Sequence, residues 1–91
     1  MLADVKYNES LRKQIFQVIE NQMKNNDPPE TKITYARLHN HGYSALEAKQ
    51  LIGQCLIVEL FDVIKNKKPF DETRYVRNLQ QLPKKPLDNY S

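Results

Sequence analysis

The stretch from Gly42 to Glu47 constrains this chain most, because it marks where one helix ends and the longest one begins. Gly42 suits the left-handed residue that follows a helix C-terminus. Ser44 and Glu47 have the spacing of a capping box, in which each side chain accepts a hydrogen bond from a backbone N–H at the helix start. Residues from Ala45 to about Asn66 then form the most apolar segment of the chain. This pattern predicts a long helix but indicates no chemistry.

Capping residues and prolines predict three further helices. These helices cover residues 9–24, 29–41 and 72–81, and their predicted N-caps are Asn8, Asp27 and Asp71. The helical spacing of apolar residues supports each of them. It is weakest in the second helix, where the residues predicted to be buried are Ile33, Tyr35, Ala36 and Leu38. Short turns between four helices predict an all-α fold, a compact four-helix bundle with a long central third helix.

Length and composition predict a single helical domain over residues 1–91, with residues 1–7 as a short leader and residues 84–91 as a frayed tail. Two glycines, and five prolines at the helix boundaries, favour helices over a turn-rich β fold. No segment reaches the ~18–20 apolar residues of a membrane-spanning helix. The first residues also lack the apolar stretch of a signal peptide, so we expect a cytoplasmic location and no membrane partner.

The cysteine and the histidines predict neither a reactive group nor a metal site. Cys55, the one cysteine, lies among apolar residues, as a buried and inert thiol does. His39 and His41 are two positions apart, whereas paired metal ligands on a helix lie three or four positions apart. We therefore predict no catalytic residue, no metal and no cofactor.

Glu59 is the polar residue that stands out, because it falls on the apolar stripe of the third helix. A buried carboxylate must pair with a cation or take up a proton. We therefore expect a buried ion pair of Glu59 with Arg37, or with Arg74 or Arg77 of the fourth helix. The alternative is a degenerate or unusual enzyme that uses Glu59, with Asp62 three positions further on.

The second half of the third helix is apolar on most sides, which predicts contacts beyond three thin neighbouring helices. A symmetric homodimer is a common way for a small domain to bury such a surface. We therefore predict an interaction or scaffolding domain that binds a protein partner or a second copy of itself. The residues predicted to form the interface are Ile57, Val58, Leu60, Phe61 and Ile64.

The basic residues do not predict a nucleic-acid partner. The formal net charge is +3, which an ordinary globular domain also carries. Several lysines cluster near two turns without the interleaved aromatic residues of a nucleic-acid surface. They are Lys65, Lys67, Lys68, Lys84 and Lys85. Weak nucleic-acid binding therefore stays a third alternative, to be tested by its salt dependence.

Short motifs follow one another between residues 27 and 83 in a recognisable order. They are Asp-Pro-Pro-Glu-Thr at 27–31, Arg37-Leu38, Gly42-Tyr43, Glu47-Ala48, Leu51-Ile52, Pro-Phe-Asp-Glu at 69–72, Arg74-Tyr75-Val76, Leu79 and Leu82-Pro83. The region from about Asn8 to Pro86 resembles a small helical domain of unknown function that occurs in many bacterial proteins, alone or as a C-terminal module. The resemblance implies a helical fold and a bacterial source, but no defined activity.

The chain departs from this family at its histidines. Many members of the family that it resembles carry histidines in the first helix and a His-Glu-x-x-His-like run at the start of the third. That run falls on residues 46–50 here, where Glu47 is kept and Leu46 and Gln50 occupy the histidine positions. The predicted first helix has no histidine. The resemblance therefore implies no metal-linked activity for this chain.

Overall fold

The computed structural model describes residues 9–84, and within them it has four α-helices joined by short turns. They are α1 (Glu9–Asn25), α2 (Pro29–Asn40), α3 (Ala45–Lys65) and α4 (Glu72–Gln81), and α3 is the longest. This all-α four-helix bundle confirms the predicted fold class, and every predicted boundary lies within one residue of the observed one. The predicted cap Asn8, the leader at 1–7 and the tail residues 85–91 lie outside the described residues.

The predicted helix boundary at residues 42–47 is confirmed in detail. The backbone N–H of Glu47 donates to Ser44 Oγ at 3.0 Å, and the N–H of Ser44 donates to Glu47 Oε1 at 2.9 Å. Gly42 has a φ of +99°, a conformation that L side chains rarely adopt. At the start of α4, the side chain of Asp71 accepts from the backbone N–H of Arg74 at 3.0 Å, as its predicted role requires.

The start of α2 differs from its prediction. The N-cap residue is Pro28, which makes no side-chain cap hydrogen bond, so Asp27 is not the cap. The N–H of Asp27 instead donates to the carbonyl oxygen of Gln22 at 2.9 Å, which ties this residue to the end of α1. Two prolines at this boundary remove two backbone donors, so the helix start has fewer N–H groups for a side chain to satisfy.

The buried side of α2 also differs from its prediction. Thr31, Thr34 and Leu38 are buried, whereas Ile33 is 62% exposed and Ala36 is exposed. The hydroxyl of Thr31 is satisfied inside the protein, because it donates to Gln22 Oε1 at 2.7 Å. A threonine whose hydroxyl has such a partner can occupy a core position, which apolar periodicity by itself does not reveal.

Each of α1 and α4 packs on both α2 and α3, and α2 packs on α3. Side chains also connect α1 to α4, because the Tyr75 hydroxyl donates to Gln22 Oε1 at 2.7 Å. The core contains buried apolar residues from all four helices and from the turn after α4. They are Ile15, Ile19, Leu38, Ala48, Ile52, Cys55, Leu56, Tyr75, Leu79 and Leu82.

Helix α1 lies against α3 at a glycine. A Cβ atom placed on Gly53 would lie 3.3 Å from Ile15 Cγ2 and 3.9 Å from Ile19 Cδ1. The missing side chain therefore allows the two helices to approach closely, at a position inside α3 where glycine otherwise weakens a helix. Ile15, which lies at this close approach, also lines the groove between α1 and α3. Within residues 9–84, no helix combines the length and the apolar content needed to cross a bilayer.

Candidate functional site

Glu59 lies in the core and is paired with Arg74 of α4. Arg74 Nε donates to Glu59 Oε2 at 2.6 Å, and Nη2 donates to Oε1 at 3.1 Å. Glu59 is fully buried and Arg74 is 8% exposed. Glu59 Oε1 also accepts from the backbone N–H of Asp71 at 3.1 Å. This carboxylate therefore connects α3 both to the start of α4 and to its first turn.

Asp62, one turn after Glu59, completes the cluster. Arg74 Nη2 donates to Asp62 Oδ2 at 2.6 Å, and Asn66 Nδ2 donates to Asp62 Oδ1 at 2.6 Å. These hydrogen bonds, first from Arg74 and then from Asn66, hold the pKa of Asp62 below its ordinary value of 3.8. Hydrogen bonding to Glu59 is the largest cause of the raised pKa of Arg74, so its guanidinium stays charged.

Of the predicted partners of Glu59, Arg74 forms the buried ion pair and Arg37 does not. Arg37 Nη1 donates to the carbonyl oxygen of Leu82 at 2.8 Å, and Nη2 donates to that of Leu79 at 2.9 Å. These carbonyl groups lie at the C-terminal end of α4, where a helix has unsatisfied acceptors and a partial negative charge. Arg37 therefore stabilises the end of α4, while Arg74 near its start pairs with Glu59.

An open concavity lies beside the charge cluster but does not reach Glu59. It has a volume of about 770 Å³, and its lining includes Asp62, Lys68, Arg74 and Arg77 but not Glu59. Glu59 accepts hydrogen bonds from two groups and has no exposed surface, so a substrate has no path to it in this conformation. The cluster has the chemistry of a structural ion pair rather than of a general acid or base.

The residues considered for reactivity or metal binding lie apart from this cluster or inside the core. Burial raises the pKa of the Cys55 thiol to about 12, with a smaller contribution from nearby Glu59. His39 and His41 are exposed, and one ring nitrogen of each lies near a backbone carbonyl oxygen. In the part of the chain that the structure describes, no three His, Cys, Asp or Glu side chains are grouped so that they could hold a metal ion.

A groove with apolar walls lies between α1 and α3. Its volume is about 450 Å³. Its walls are apolar and come from the start of α1 and the second half of α3. They are Leu11 and Ile15 on α1, and Ile57, Leu60, Phe61 and Ile64 on α3. Exposed apolar concavities of this kind mark ligand or partner sites more often than isolated exposed side chains do.

Four of the five residues predicted to form an interface line this groove, and Val58 does not. The four lie at positions i, i+3, i+4 and i+7 of α3, which is one stripe of a helix. Ile64 is 72% exposed and Phe61 is 37% exposed, while Ile57 and Leu60 are half-buried. Helices α1, α2 and α4 thus leave this stripe of α3 only partly covered. Val58, also half-buried, lies on another side of the helix.

Lysines occupy the end of the groove where α3 terminates. Lys65 and Lys67 line this end, and no acidic residue is among the described residues that line the groove. Both lysines are exposed, and neither is in an ion pair with a carboxylate of residues 9–84. The groove is therefore apolar along its length and positively charged at one end.

The sequence did not indicate that α1 forms the second wall of the groove. Leu11 and Ile15 lie on the apolar side of α1, whose spacing supported the predicted helix but indicated no groove. Ile15 is buried at 6% exposure, whereas Leu11 is only half-buried. The signal available in the sequence was Gly53, since a glycine inside an apolar helix can mark a close helix crossing. Without the crossing geometry, it could not show which residues stay uncovered.

No protein-family model, curated protein or solved structure matches this chain. The family resemblance suggested by the short motifs therefore stays a prediction, as does the bacterial source that it implies.

Proposed function

We propose that this chain is a protein-interaction module that binds an amphipathic helix of a partner protein in the groove between α1 and α3. The observation that carries the proposal is the partly covered apolar stripe of α3, in which Ile64 is 72% exposed. The facing wall from α1 turns this stripe into a groove of about 450 Å³. A groove with apolar walls is the usual receptor for the apolar face of a helix.

The shape of the site favours a helix over an extended peptide. The two walls are themselves helices that run in opposite directions, since Ile15 contacts α3 near Gly53 and Lys49 pairs with Glu20 further along α1. Two packed helices leave between their side-chain ridges a furrow into which a third helix fits. No sheet edge is present in residues 9–84 to receive an extended strand.

The predicted homodimer is the competing occupant, and the charges at the groove count against it. A two-fold axis brings the same surface patch of both copies together. Such an interface on this groove would contain Lys65 and Lys67 from each copy, with no carboxylate among the described lining residues. Like charges in one interface oppose association. A partner of different charge fits the groove better.

The burial and pairing of Glu59 do not favour the enzyme alternative, and the net charge of +3 does not single out a nucleic acid. The proposal therefore concerns binding without catalysis. The cytoplasmic location expected from the sequence remains a prediction within this proposal.

The proposal is tested with a fluorescently labelled amphipathic peptide of about 18 residues, above the ~12–15 residues below which isolated helices are marginal. It carries Leu at positions i, i+3, i+4 and i+7 and uncharged Gln and Ser elsewhere, and we call it the Gln probe. Fluorescence anisotropy with the full chain measures its Kd. We expect Ile64→Asp to weaken binding at least about tenfold, because a carboxylate then replaces part of the apolar wall.

Ile33→Asp is the matched control. Ile33 is 62% exposed on α2 and lies outside the groove lining, so the same substitution there is expected to leave the Kd unchanged. Circular dichroism checks that both variants keep their helices. Equal weakening by both variants, or no binding by the unsubstituted chain up to about 1 mM, would contradict the proposal.

A further inference from the structure

We infer that the helix bound in this groove carries acidic residues at the end of its apolar stripe, and that Lys65 and Lys67 select them. This inference rests on the proposed function and names the chemistry of the partner. A neutral or basic amphipathic helix could contact the same apolar walls, but it would place no negative charge beside these two lysines.

The position of the lysines supports this selection. Ile64 is the most exposed apolar residue of the groove, and Lys65 follows it directly on α3. Lys67 comes two residues later and lines the same end of the groove. A helix that covers Ile64 and continues past this end of the groove therefore runs close to both lysines.

Within residues 9–84, no carboxylate forms an ion pair with Lys65 or Lys67. The ion pairs within residues 9–84 are those of Lys49 with Glu20 and of Arg74 with Glu59 and Asp62. The carboxylates of Glu59 and Asp62 accept hydrogen bonds from Arg74, so they are already engaged. Exposed charges at the rim of an interface act mainly on specificity and association rate, which is the role we assign to Lys65 and Lys67.

The experiment compares three peptides that share the apolar stripe of the Gln probe. The Glu probe and the Lys probe carry two Glu or two Lys beyond each end of the stripe, so that the result does not depend on the direction of the helix. Each is titrated with the unsubstituted chain, with Lys65→Glu/Lys67→Glu, and with Lys24→Glu/Lys32→Glu. The last variant is the matched control, because it changes the net charge equally through two exposed lysines outside the groove lining.

We expect the unsubstituted chain and the control variant to bind the Glu probe about tenfold more tightly than the Gln probe, and the Lys probe most weakly. In Lys65→Glu/Lys67→Glu, this order should invert. Raising the salt concentration should reduce the preference for the Glu probe, because exposed charge pairs are screened. If the double variant loses its helical signal, Lys65→Glu alone takes its place. Its preference for the Glu probe should lie between those of the unsubstituted chain and the double variant.

Other outcomes contradict either the selection of acidic residues or the binding of a helix in the groove. Equal binding of all three probes overturns the acidic selection but leaves the groove as a binding site. An equal change in probe preference in both double variants also overturns it, because net charge would then be the cause. Failure of every probe to bind overturns the proposed function itself. A dimer in light scattering that Ile64→Asp dissociates and Ile33→Asp does not would assign the groove to a second copy of the chain.

Discussion

Arg74 and Glu59, fifteen residues apart in the chain, form a buried two-point ion pair between α4 and α3. The guanidinium uses Nε and Nη2 for the two Glu59 oxygens, and Nη2 also donates to Asp62. Planar guanidinium geometry suits this arrangement, because its N–H groups point in fixed directions. One arginine thus donates hydrogen bonds to two carboxylates that lie on the same side of α3.

Glu59→Gln is expected to lower the free energy of unfolding by about 3 kcal/mol, because it leaves a buried guanidinium with a poorer partner. Urea denaturation measures the change. Glu20→Gln is the matched control: it breaks the exposed pair of Glu20 with Lys49 and should cost less than about 1 kcal/mol. In the Arg74→Met background, Glu59→Gln should cost measurably less, since the two residues are coupled. Equal losses for Glu59→Gln and Glu20→Gln would contradict a buried pair.

The stability of the protein is expected to fall below about pH 4, partly through Asp62. Its pKa is lowered in the folded state from the ordinary value of 3.8, so the unfolded chain binds the proton more readily. The stabilisation is therefore present above the ordinary value and is lost as the pH falls toward the folded value. Denaturant titrations between about pH 5 and pH 2 should show a shallower decline for Asp62→Asn. Parallel curves for the two proteins would exclude this contribution.

Arg37→Met is expected to destabilise the end of α4 by about 1–3 kcal/mol, because the carbonyl groups of Leu79 and Leu82 lose a charged donor. Arg77→Met is the matched control on the exposed side of α4 and should change the free energy of unfolding by less than about 0.5 kcal/mol. Denaturant melts and amide hydrogen exchange near Leu82 measure both effects. Equal losses in Arg37→Met and Arg77→Met would show that Arg37 has no capping role.

Cys55 is expected to resist alkylation in the folded protein. Burial raises its pKa to about 12, so very little reactive thiolate is present at about pH 8. Mass spectrometry after iodoacetamide treatment should show no modification of the native chain and full modification in guanidinium chloride. Rapid labelling under native conditions would indicate that α3 opens near Cys55.

The helices, their boundaries and the burial of Glu59 could be predicted from the sequence, because these features depend on residues close together in the chain. The Ser44–Glu47 capping box is set by neighbours three residues apart, and the apolar spacing around Glu59 repeats within a few turns. Four of the five predicted interface residues also share one stripe, which the helical period alone places together.

Tertiary structure decided what lies opposite those residues. Local spacing could not choose between Arg37 and Arg74, because the choice depends on how α2 and α4 cross α3. It also could not show that Thr31 faces the core while Ile33 faces solvent, since the hydroxyl partner of Thr31 comes from α1. The groove exists for the same reason. Helix periodicity identifies an apolar stripe, but only the packing of the other helices determines which part of that stripe remains uncovered.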